Sequence, residues 1–260
     1  MAPLILYDLP SNGRCSCWSL NPWKTRMALN YKNVEYQTEF VEYPDLAPTL
    51  KGLGVPPNDP SVNTMLYSSP TVRLPDGTFV MDSQKIIFEL EKLYPSPPLY
   101  LDSEILPKVQ ELMPQIMGCM VGVFMPRTPK ILNDVSAQYF YETRKVRFGM
   151  PLQQLEEEKG GPEAWEAGKE PLAKMAALLN QTSGPFFLGN EGKYNSMPYL
   201  LSFVFHVLTQ AVSYADFVLV SLLEYTKRIG QDIFDRVVAV DKSFEEIYKA
   251  SAKWLERDDH

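Results

Sequence analysis

The sequence is poor in the residues that build metal centres, disulfide frameworks and membrane spans. Its 260 residues include three cysteines and only two histidines, His206 and His260. A small, odd number of cysteines argues against a disulfide framework and favours a reducing compartment. Two histidines leave almost nothing for a histidine-based metal site or catalytic triad, so no metal is expected. The most apolar segment, residues 197–212, is shorter than the ~20 residues that a spanning helix needs.

An excess of positive charge is also missing. Lysine and arginine number 25 against 32 aspartates and glutamates, which gives a net charge of −7. This balance disfavours nucleic acid and anionic membranes as partners. The N-terminal apolar run stops at Asp8 and has no basic flank, so no secretory signal is predicted and a cytoplasmic protein is expected. Hydrophobic residues make up 45% of the chain, which is enough for a buried core.

The first segment with a clear pattern is residues 4–31, which predicts a short apolar strand, a polar loop and an amphipathic helix. Asn21 is the predicted N-cap of this helix, and Pro22 suits the first helical position. A helix start offers free backbone N–H groups and partial positive charge to an anion. Ser19 and Cys17 lie just before that start, so both are candidates for the chemistry of this loop.

Two further patterns predict more sheet. Residues 35–41 alternate between apolar and polar side chains, which predicts a second strand, and a short helix is expected within 43–54. Two short runs, 69–74 and 78–81, flank an Asp76-Gly77 turn and predict a β-hairpin.

A capped helix closes this first region. Asp82 and Ser83 precede an amphipathic helix over 84–93, and both are good capping residues. The order of elements predicts a mixed α/β domain over residues 1–95, followed by a Pro- and Ser-rich linker over 96–105.

From residue 106 to residue 260 helical periodicity dominates, so an all-helical domain is expected. Its first helix carries a stripe of Met113, Met117 and Met120, with Phe124 beyond. Two interpretations stay open: an ordinary buried helix face, or an adaptable wall of a hydrophobic ligand pocket. Further along, Ser213 and Asp216 have the spacing of a variant capping box, which makes Asp216 structural rather than catalytic.

This arrangement resembles the glutathione transferase superfamily. The motifs that carry the resemblance occur in the family's order: Ser69-Pro70 at its cis-proline, Asp82-Ser83 at a helix start, and the C-terminal segments 184–189 and 213–217. The resemblance implies a thioredoxin-like α/β N-terminal domain plus an all-α C-terminal domain. It also implies glutathione as co-substrate and assembly as a homodimer.

Within the superfamily, residues 18–26, 28–32, 41–45 and 147–152 are similar to the fungal etherase-related FuA class of wood-decay basidiomycetes. That likeness implies a glutathione transferase that acts on hydrophobic aromatic or ether-type electrophiles derived from wood or plants, with peroxidase activity as a further option. Two other functions stay open. One is a ligandin-like protein that binds aromatic metabolites with weak catalysis, and the other is a thiol oxidoreductase that uses Cys17.

The resemblance assigns roles in glutathione binding to four residues. Ser69, before the cis-proline Pro70, pairs through its backbone with the cysteinyl unit. Ser83 binds the γ-glutamyl carboxylate through its hydroxyl and backbone N–H, and Asp82 takes the α-amino group.

Three residues are candidates for the chemistry at the sulfur of glutathione. The Ser19 hydroxyl is the first choice as hydrogen-bond donor to the thiolate, and the Asn21 amide is the second. Cys17 is the rival as a nucleophile in its own right. Family members have proline directly after the loop serine, whereas this chain has Leu20 there and Pro22 two positions later.

One segment departs from the family pattern. Residues 191–212 separate two segments that the family joins within a few residues. Three explanations are open: an insertion loop, an extra helix over the ligand pocket, or a retained intron.

Overall fold

The computed structural model describes residues 3–61, 65–189 and 212–259. The predicted insertion, apart from Val212, lies outside the described residues. The described part contains one four-stranded sheet, in the order β2-β1-β3-β4. Its strands are β1 (Leu4–Asp8), β2 (Tyr36–Phe40), β3 (Thr71–Arg73) and β4 (Phe79–Met81).

The central strand β1 pairs in parallel with β2 and antiparallel with β3. Leu6 lies opposite Thr38 on one side and Val72 on the other, and it is fully buried. The parallel pair needs a crossover, which is the helix α1 (Leu20–Tyr31). The predicted hairpin is present, since β3 and β4 pair antiparallel around Gly77, which has φ 92°.

Helices tie the sheet region to the rest of the chain. Helix α1 packs against α3 (Ser83–Leu93) and against α9 (Tyr214–Ile229), while α2 (Tyr43–Gly52) packs against α6 (Asp134–Phe148). Elements from both halves therefore pack against each other along α1 and α2.

Every element described after α3 is helical. Besides α6 and α9 these are α4 (Ile105–Cys119), α5 (Val121–Phe124), a short 3-10 helix (Thr128–Ile131), α7 (Leu152–Lys159), α8 (Pro162–Leu179), α10 (Gln231–Val238), α11 (Lys242–Ala250) and α12 (Ala252–Leu255). Helix α9 is buried over most of its length, which marks it as the central helix of this half. A thioredoxin-like sheet region followed by a helical region is the predicted architecture, whereas the domain boundaries at 95 and 106 stay a prediction.

The connection between the halves is held by a buried cation. The Lys32 ammonium donates to the carbonyl oxygens of Tyr94 at 2.5 Å and Pro97 at 2.8 Å, and it pairs with Glu91 at 2.7 Å. These bonds fix the chain just after α3, where it passes into the helical half.

The predicted start of α1 was wrong by two residues. Ser19, with φ −80° and ψ 137°, is the N-cap, and the helix begins at Leu20 rather than at Pro22. The Trp23 N–H bonds the Ser19 carbonyl at 3.2 Å, which closes the first turn there. Asn21 is consequently a first-turn residue, and Pro22 still lies where a missing N–H costs nothing.

The structural role of Asp216 is confirmed. Its Oδ2 accepts from the Ser213 N–H at 2.6 Å and the Ser213 hydroxyl at 2.8 Å, and its Oδ1 accepts from the Phe187 N–H at 2.8 Å. Burial raises the pKa of Asp216 to about 6, against these hydrogen bonds, which lower it. Three donors to one buried carboxylate describe a helix cap and a loop anchor.

In the ranges that the structure covers, no helix combines the length and apolarity needed to cross a bilayer. The same ranges hold no group of three or more His, Cys, Asp or Glu side chains placed to bind a metal ion.

Candidate active site

Two adjoining cavities lie where α1 meets the helical half. The first, here called the polar cavity, has a volume of 410 Å³. Its lining residues are Asn21, Lys24, Met65, Ser68, Ser69, Pro70, Asp82, Ser83, Gln84, Gln110, Met113, Pro114, Tyr214 and Val218. The four residues predicted to bind glutathione, which are Ser69, Pro70, Asp82 and Ser83, are thus brought together on one cavity.

Ser69 presents its backbone to this cavity. The Ser69-Pro70 peptide bond is cis. The Ser69 hydroxyl donates to the Tyr7 carbonyl at 3.1 Å, which ties the side chain to β1. Its backbone N–H and C=O have no protein partner among the described residues. An extended peptide laid in the cavity can pair with both groups, as a strand pairs with a sheet edge.

The start of α3 lines the polar cavity with Asp82, Ser83 and Gln84. Asp82 is the N-cap, and its Oδ1 accepts from the N–H groups of Gln84 at 2.9 Å and Lys85 at 3.3 Å. Ser83 is the first helical residue and is 8% exposed. Its N–H belongs to the unpaired first turn, where the helix dipole favours a carboxylate. Asp82 adds a carboxylate that suits an ammonium group.

The second cavity, here called the aromatic cavity, has a volume of 320 Å³. It is lined by Trp18, Ser19, Leu20, Asn21, Lys24, Tyr43, Met113, Pro114, Met117, Met125, Thr128, Phe140, Arg144, Arg147 and Tyr225. Four rings form its apolar wall: Trp18, Tyr43, Phe140 and Tyr225. Their centroids lie 5.9 to 6.4 Å apart where they touch, as in ordinary aromatic packing.

The two cavities share a wall made of Asn21, Lys24, Met113 and Pro114. Ser19 lies on the aromatic side of that wall and is half-buried. Although Ser19 is the N-cap of α1, its hydroxyl makes no capping hydrogen bond. The hydroxyl is therefore available to a sulfur atom placed between the cavities.

Asn21 lines both cavities, and its side chain is oriented by a neighbour. The Asn21 Oδ1 accepts from the Lys24 ammonium at 3.0 Å, which leaves the amide N–H₂ as the group that can donate elsewhere. Asn21 stays a second donor candidate beside Ser19.

Lys24 is a site residue that sequence reasoning missed. Burial lowers the pKa of Lys24 to about 8, while the nearby Asp82 carboxylate opposes that shift. Its position three residues after Asn21 puts both side chains on one helix face, which is the signal that could have identified it.

Part of the methionine stripe lines a pocket, and the rest is an ordinary buried helix face. Met113 and Met117 line the cavities. Met120 and Phe124 do not line either of them, and both are fully buried. Met120 packs closely against Gly168 of α8, and the Phe124 ring meets the edge of Tyr225 at 5.9 Å. Their predicted place in the pocket was wrong because the chain turns at residue 120 between α4 and α5, which carries them into the core.

Cys17 is not placed to act as a nucleophile. Its side chain is 0% exposed, and its backbone N–H donates to the Asp258 carbonyl at 2.7 Å. Burial raises the pKa of the Cys17 thiol well above its usual value, and the Asp8 carboxylate raises it further, against the opposite effect of Arg26. A buried, protonated thiol is inert, so the helix start does not make Cys17 a redox centre.

The loop before α1 is clamped by the other end of the chain. The Arg228 guanidinium bonds the Asp258 carboxylate at 2.7 Å, the Ser16 hydroxyl at 3.0 Å and the Glu224 carboxylate at 2.6 Å. With the Cys17 bond to Asp258, this network fixes the backbone that leads to Ser19. Contacts across more than 200 residues carry no local sequence signal.

Comparison with known proteins agrees with this geometry. Residues 18–93 match the model of the glutathione S-transferase N-terminal domain, and residues 109–254 match that of the C-terminal domain. The glutathione S-transferase-like protein ustS of Aspergillus flavus is 30% identical over 98% of this chain and 92% of its own length.

Solved structures give the same result. The glutathione transferase GSTFuA2 of Phanerochaete chrysosporium superposes with a TM-score of 0.81 at 27% identity and covers 100% of both chains. A glutathione S-transferase of Ceriporiopsis subvermispora, in complex with glutathione, has a TM-score of 0.79 at 25% identity over 97% of this chain and 98% of its own.

A thioredoxin-like region with an adjoining helical region and a cavity at their junction defines the glutathione transferase class. The chain belongs to the glutathione S-transferase family and is an enzyme of that family, with glutathione as co-substrate. Its structural neighbours include the FuA-class transferases GSTFuA2 and GSTFuA3 of Phanerochaete chrysosporium.

Proposed function

We propose that this transferase joins glutathione to hydrophobic aromatic or ether-type electrophiles of wood or plant origin, as a detoxifying enzyme. Glutathione occupies the polar cavity and the electrophile occupies the aromatic cavity. The observation that carries the proposal is the shared wall, because Asn21 borders both the cavity that contains Ser69 and the cavity that contains Ser19. In the proposed complex, the cysteinyl sulfur of a glutathione paired with Ser69 lies at this wall. A homodimer in the cytoplasm belongs to the same proposal, on family grounds.

The chemistry requires a thiolate at neutral pH. A free cysteine thiol has a pKa near ~8.5, and lowering it by about two units corresponds to ~2.7 kcal/mol of thiolate stabilisation. The Ser19 hydroxyl supplies a charge-assisted hydrogen bond. The start of α1 supplies partial positive charge, and the Lys24 ammonium supplies a full one. The released proton goes to solvent, so no general base is needed.

With an electrophile, the thiolate forms a C–S bond while the leaving group departs with its bonding electron pair. With an organic peroxide, the thiolate attacks one peroxide oxygen and the O–O bond breaks, so an alkoxide leaves and takes up a proton. The resulting glutathione sulfenic acid reacts with a second glutathione to give the disulfide and water. Peroxide reduction is therefore open to the same site.

The test is the Ser19→Ala variant, compared with Ser19→Thr, which keeps a hydroxyl. Removing one donor to a developing or resident anion costs ~10²-fold in kcat. We expect Ser19→Ala to lose about that factor with KM for glutathione within ~2-fold, and Ser19→Thr to retain most of the activity. Unchanged turnover in Ser19→Ala would reject Ser19 and move the role to Asn21.

A second candidate function is that of a ligandin-like binding protein. The four rings around the aromatic cavity favour it, because flat aromatic molecules stack on such a wall. The chain has four tryptophans, of which Trp18 lines this cavity, so the fluorescence quenching that is lost in Trp18→Phe measures binding of a hydroxylated benzophenone there. Tight binding together with negligible conjugation of a range of electrophiles would favour this function over the first.

A further inference from the structure

The aromatic cavity is positively charged, although the protein carries a net charge of −7. Lys24, Arg144 and Arg147 line it. Among the described residues that line this cavity there is no aspartate or glutamate. This concentration of cations does not contribute to the binding of a purely apolar substrate, whereas it attracts an anionic one.

The Arg144 guanidinium lies over two rings of the aromatic wall. Its guanidinium carbon lies 4.1 Å from the centre of the Phe140 ring and 5.4 Å from that of Tyr43. Nη1 donates to the Thr143 hydroxyl at 3.0 Å, and Nη2 makes a long bond of 3.4 Å to the Tyr43 hydroxyl. Stacking of this kind orders a guanidinium without neutralising its charge.

The same guanidinium has unused donors. The Arg144 Nε is buried and has no hydrogen-bond partner, and within the described ranges Arg144 makes no ion pair. A buried donor without an acceptor is costly in a finished structure. Nη1 and Nη2 each use one of their two N–H groups in the bonds above, so a carboxylate in the cavity can accept from the remaining two in the bidentate geometry that arginine favours.

The acidic residues near Arg144 do not supply it with an acceptor. At the N-cap of the packed helix α2, the Glu42 carboxylate accepts from the Asn133 amide at 2.7 Å and from the Ser136 hydroxyl. On α6 itself, Glu142 accepts from the Gln138 amide at 2.9 Å. Arg147 lies three residues after Arg144 on the same helix and is exposed, so it extends the positive charge toward the cavity mouth.

We propose that the second substrate is an anionic aromatic, with an electrophilic carbon facing the sulfur and a carboxylate bound by Arg144 and supported by Arg147. This inference rests on the proposed conjugation function and narrows its substrate class from hydrophobic aromatics to aromatic acids. Arg144 is then a specificity-determining residue. It lines the aromatic cavity and not the polar cavity, in which glutathione binds in the proposed function.

The test uses two electrophiles that differ at one group, a chloronitrobenzoate and its methyl ester. Each kcat/KM is divided by the uncatalysed rate with glutathione, which removes the difference in intrinsic reactivity. We expect the wild type to prefer the acid by ~10-fold. Arg144→Met should remove that preference by losing activity on the acid alone. Arg144→Lys should keep part of it, and Arg147→Met should lower it by only ~2- to 3-fold.

Three kinetic results would overturn the inference. The first is a wild type that conjugates both electrophiles without preferring the acid, and the second is an Arg144→Met variant that loses activity on acid and ester equally. A rise in KM for glutathione in Arg144→Met would likewise overturn it, by assigning the arginine to glutathione.

A binding measurement distinguishes failure of this inference from failure of the proposed function. Equilibrium dialysis of the unreactive nitrobenzoate measures the anion pocket without any chemistry. If the wild type conjugates neither electrophile, the proposed function fails, and ~10-fold weaker nitrobenzoate binding by Arg144→Met still supports the pocket. Equal binding by the two proteins overturns the pocket even where conjugation is found. The melting temperature of each variant checks that it is folded.

Discussion

The polar and aromatic cavities adjoin, yet they are built in different ways. Six of the fourteen residues that line the polar cavity come from two short segments, 68–70 and 82–84, and these six include the four residues predicted to bind glutathione. Rings, thioethers and arginines dominate the aromatic cavity, and they come from six separate regions of the chain. Local motifs contribute to the site for glutathione, the co-substrate that is the same throughout the family. Side chains that only tertiary packing brings together form the site for the second substrate.

The largest expected effect is a loss of glutathione affinity on substitution at the start of α3, which distinguishes the polar cavity from the aromatic cavity. Ser83→Ala removes a hydrogen bond to the γ-glutamyl carboxylate, and such bonds to charged groups contribute ~1.5–3 kcal/mol. Glutathione affinity should fall ~10- to 100-fold by calorimetry. Affinity of the aromatic cavity for a hydroxylated benzophenone should stay the same.

Asp82→Asn is the matched variant, because asparagine keeps the helix cap and tolerates the positive φ of 89° at that position. Any loss of glutathione affinity in Asp82→Asn reports the charge toward the α-amino group rather than the fold. Parallel losses of glutathione and benzophenone binding would show that the two cavities are one.

A smaller effect, on stability and on kcat, is expected for the Arg228 network that fixes the loop before α1. Arg228→Met leaves the buried Glu224 carboxylate without its cation and removes one of the two cations of Asp258, which keeps its pair with Arg14 at 2.5 Å. Breaking a fully buried pair costs ~3–5 kcal/mol, and since Arg228 is 26% exposed we expect about 2 kcal/mol in the free energy of unfolding. Loosening Ser16 and Ser19 should also lower kcat several-fold, with glutathione affinity unchanged.

Arg127→Met is the control, since its ion pair with Asp232 at 3.2 Å is exposed. Denaturant unfolding should show less than ~1 kcal/mol for that variant. Equal destabilisation of both variants, or a fall in glutathione affinity in Arg228→Met, would contradict the assignment of the clamp to the Ser19 loop.

The smallest effect concerns Lys24 in the shared wall. Its pKa of about 8 means that the folded protein loses this charge as pH rises through 8, whereas an unfolded lysine keeps its proton to about 10.4. The unfolded state therefore binds more protons between these values, so stability should rise with pH there. Binding of S-methylglutathione, which has no thiol to titrate, should weaken a few-fold as pH passes 8.

Lys24→Arg keeps its charge throughout this range and should flatten that part of the binding profile, while Lys24→Met should show weak binding at every pH. Calorimetry at a series of pH values provides the comparison. If Lys24→Arg follows the wild-type profile, the titrating group is glutathione's amino group and not Lys24.

The sequence predicted the polar cavity better than the aromatic one for a physical reason. Pro70, Asp82 and Ser83 act through backbone geometry and capping, which depend on near neighbours. The N-cap of α1 was misplaced because Ser19 and Asn21 are both good caps. The Trp23 hydrogen bond that decides between them is visible only in three dimensions.

Side-chain environment explains the other differences. Periodicity placed Met113 and Met120 on one stripe, but only the structure shows that Met120 turns into the close approach to Gly168. The helix start suggested a reactive Cys17, but burial beside Asp8 reverses that expectation. Arg144 had no local signal, since an arginine on an exposed-looking helix is ordinary until its neighbours are known.

The central claim is that the Ser19 hydroxyl stabilises the thiolate of bound glutathione at the shared wall. Its most direct test is an ultraviolet titration of the thiolate in saturated complexes of the wild type, Ser19→Ala and Asn21→Ala. We predict a pKa of bound glutathione well below ~8.5 in the wild type and in Asn21→Ala, and a pKa raised by about one to two units in Ser19→Ala. A Ser19→Ala complex that titrates like the wild type would contradict the claim.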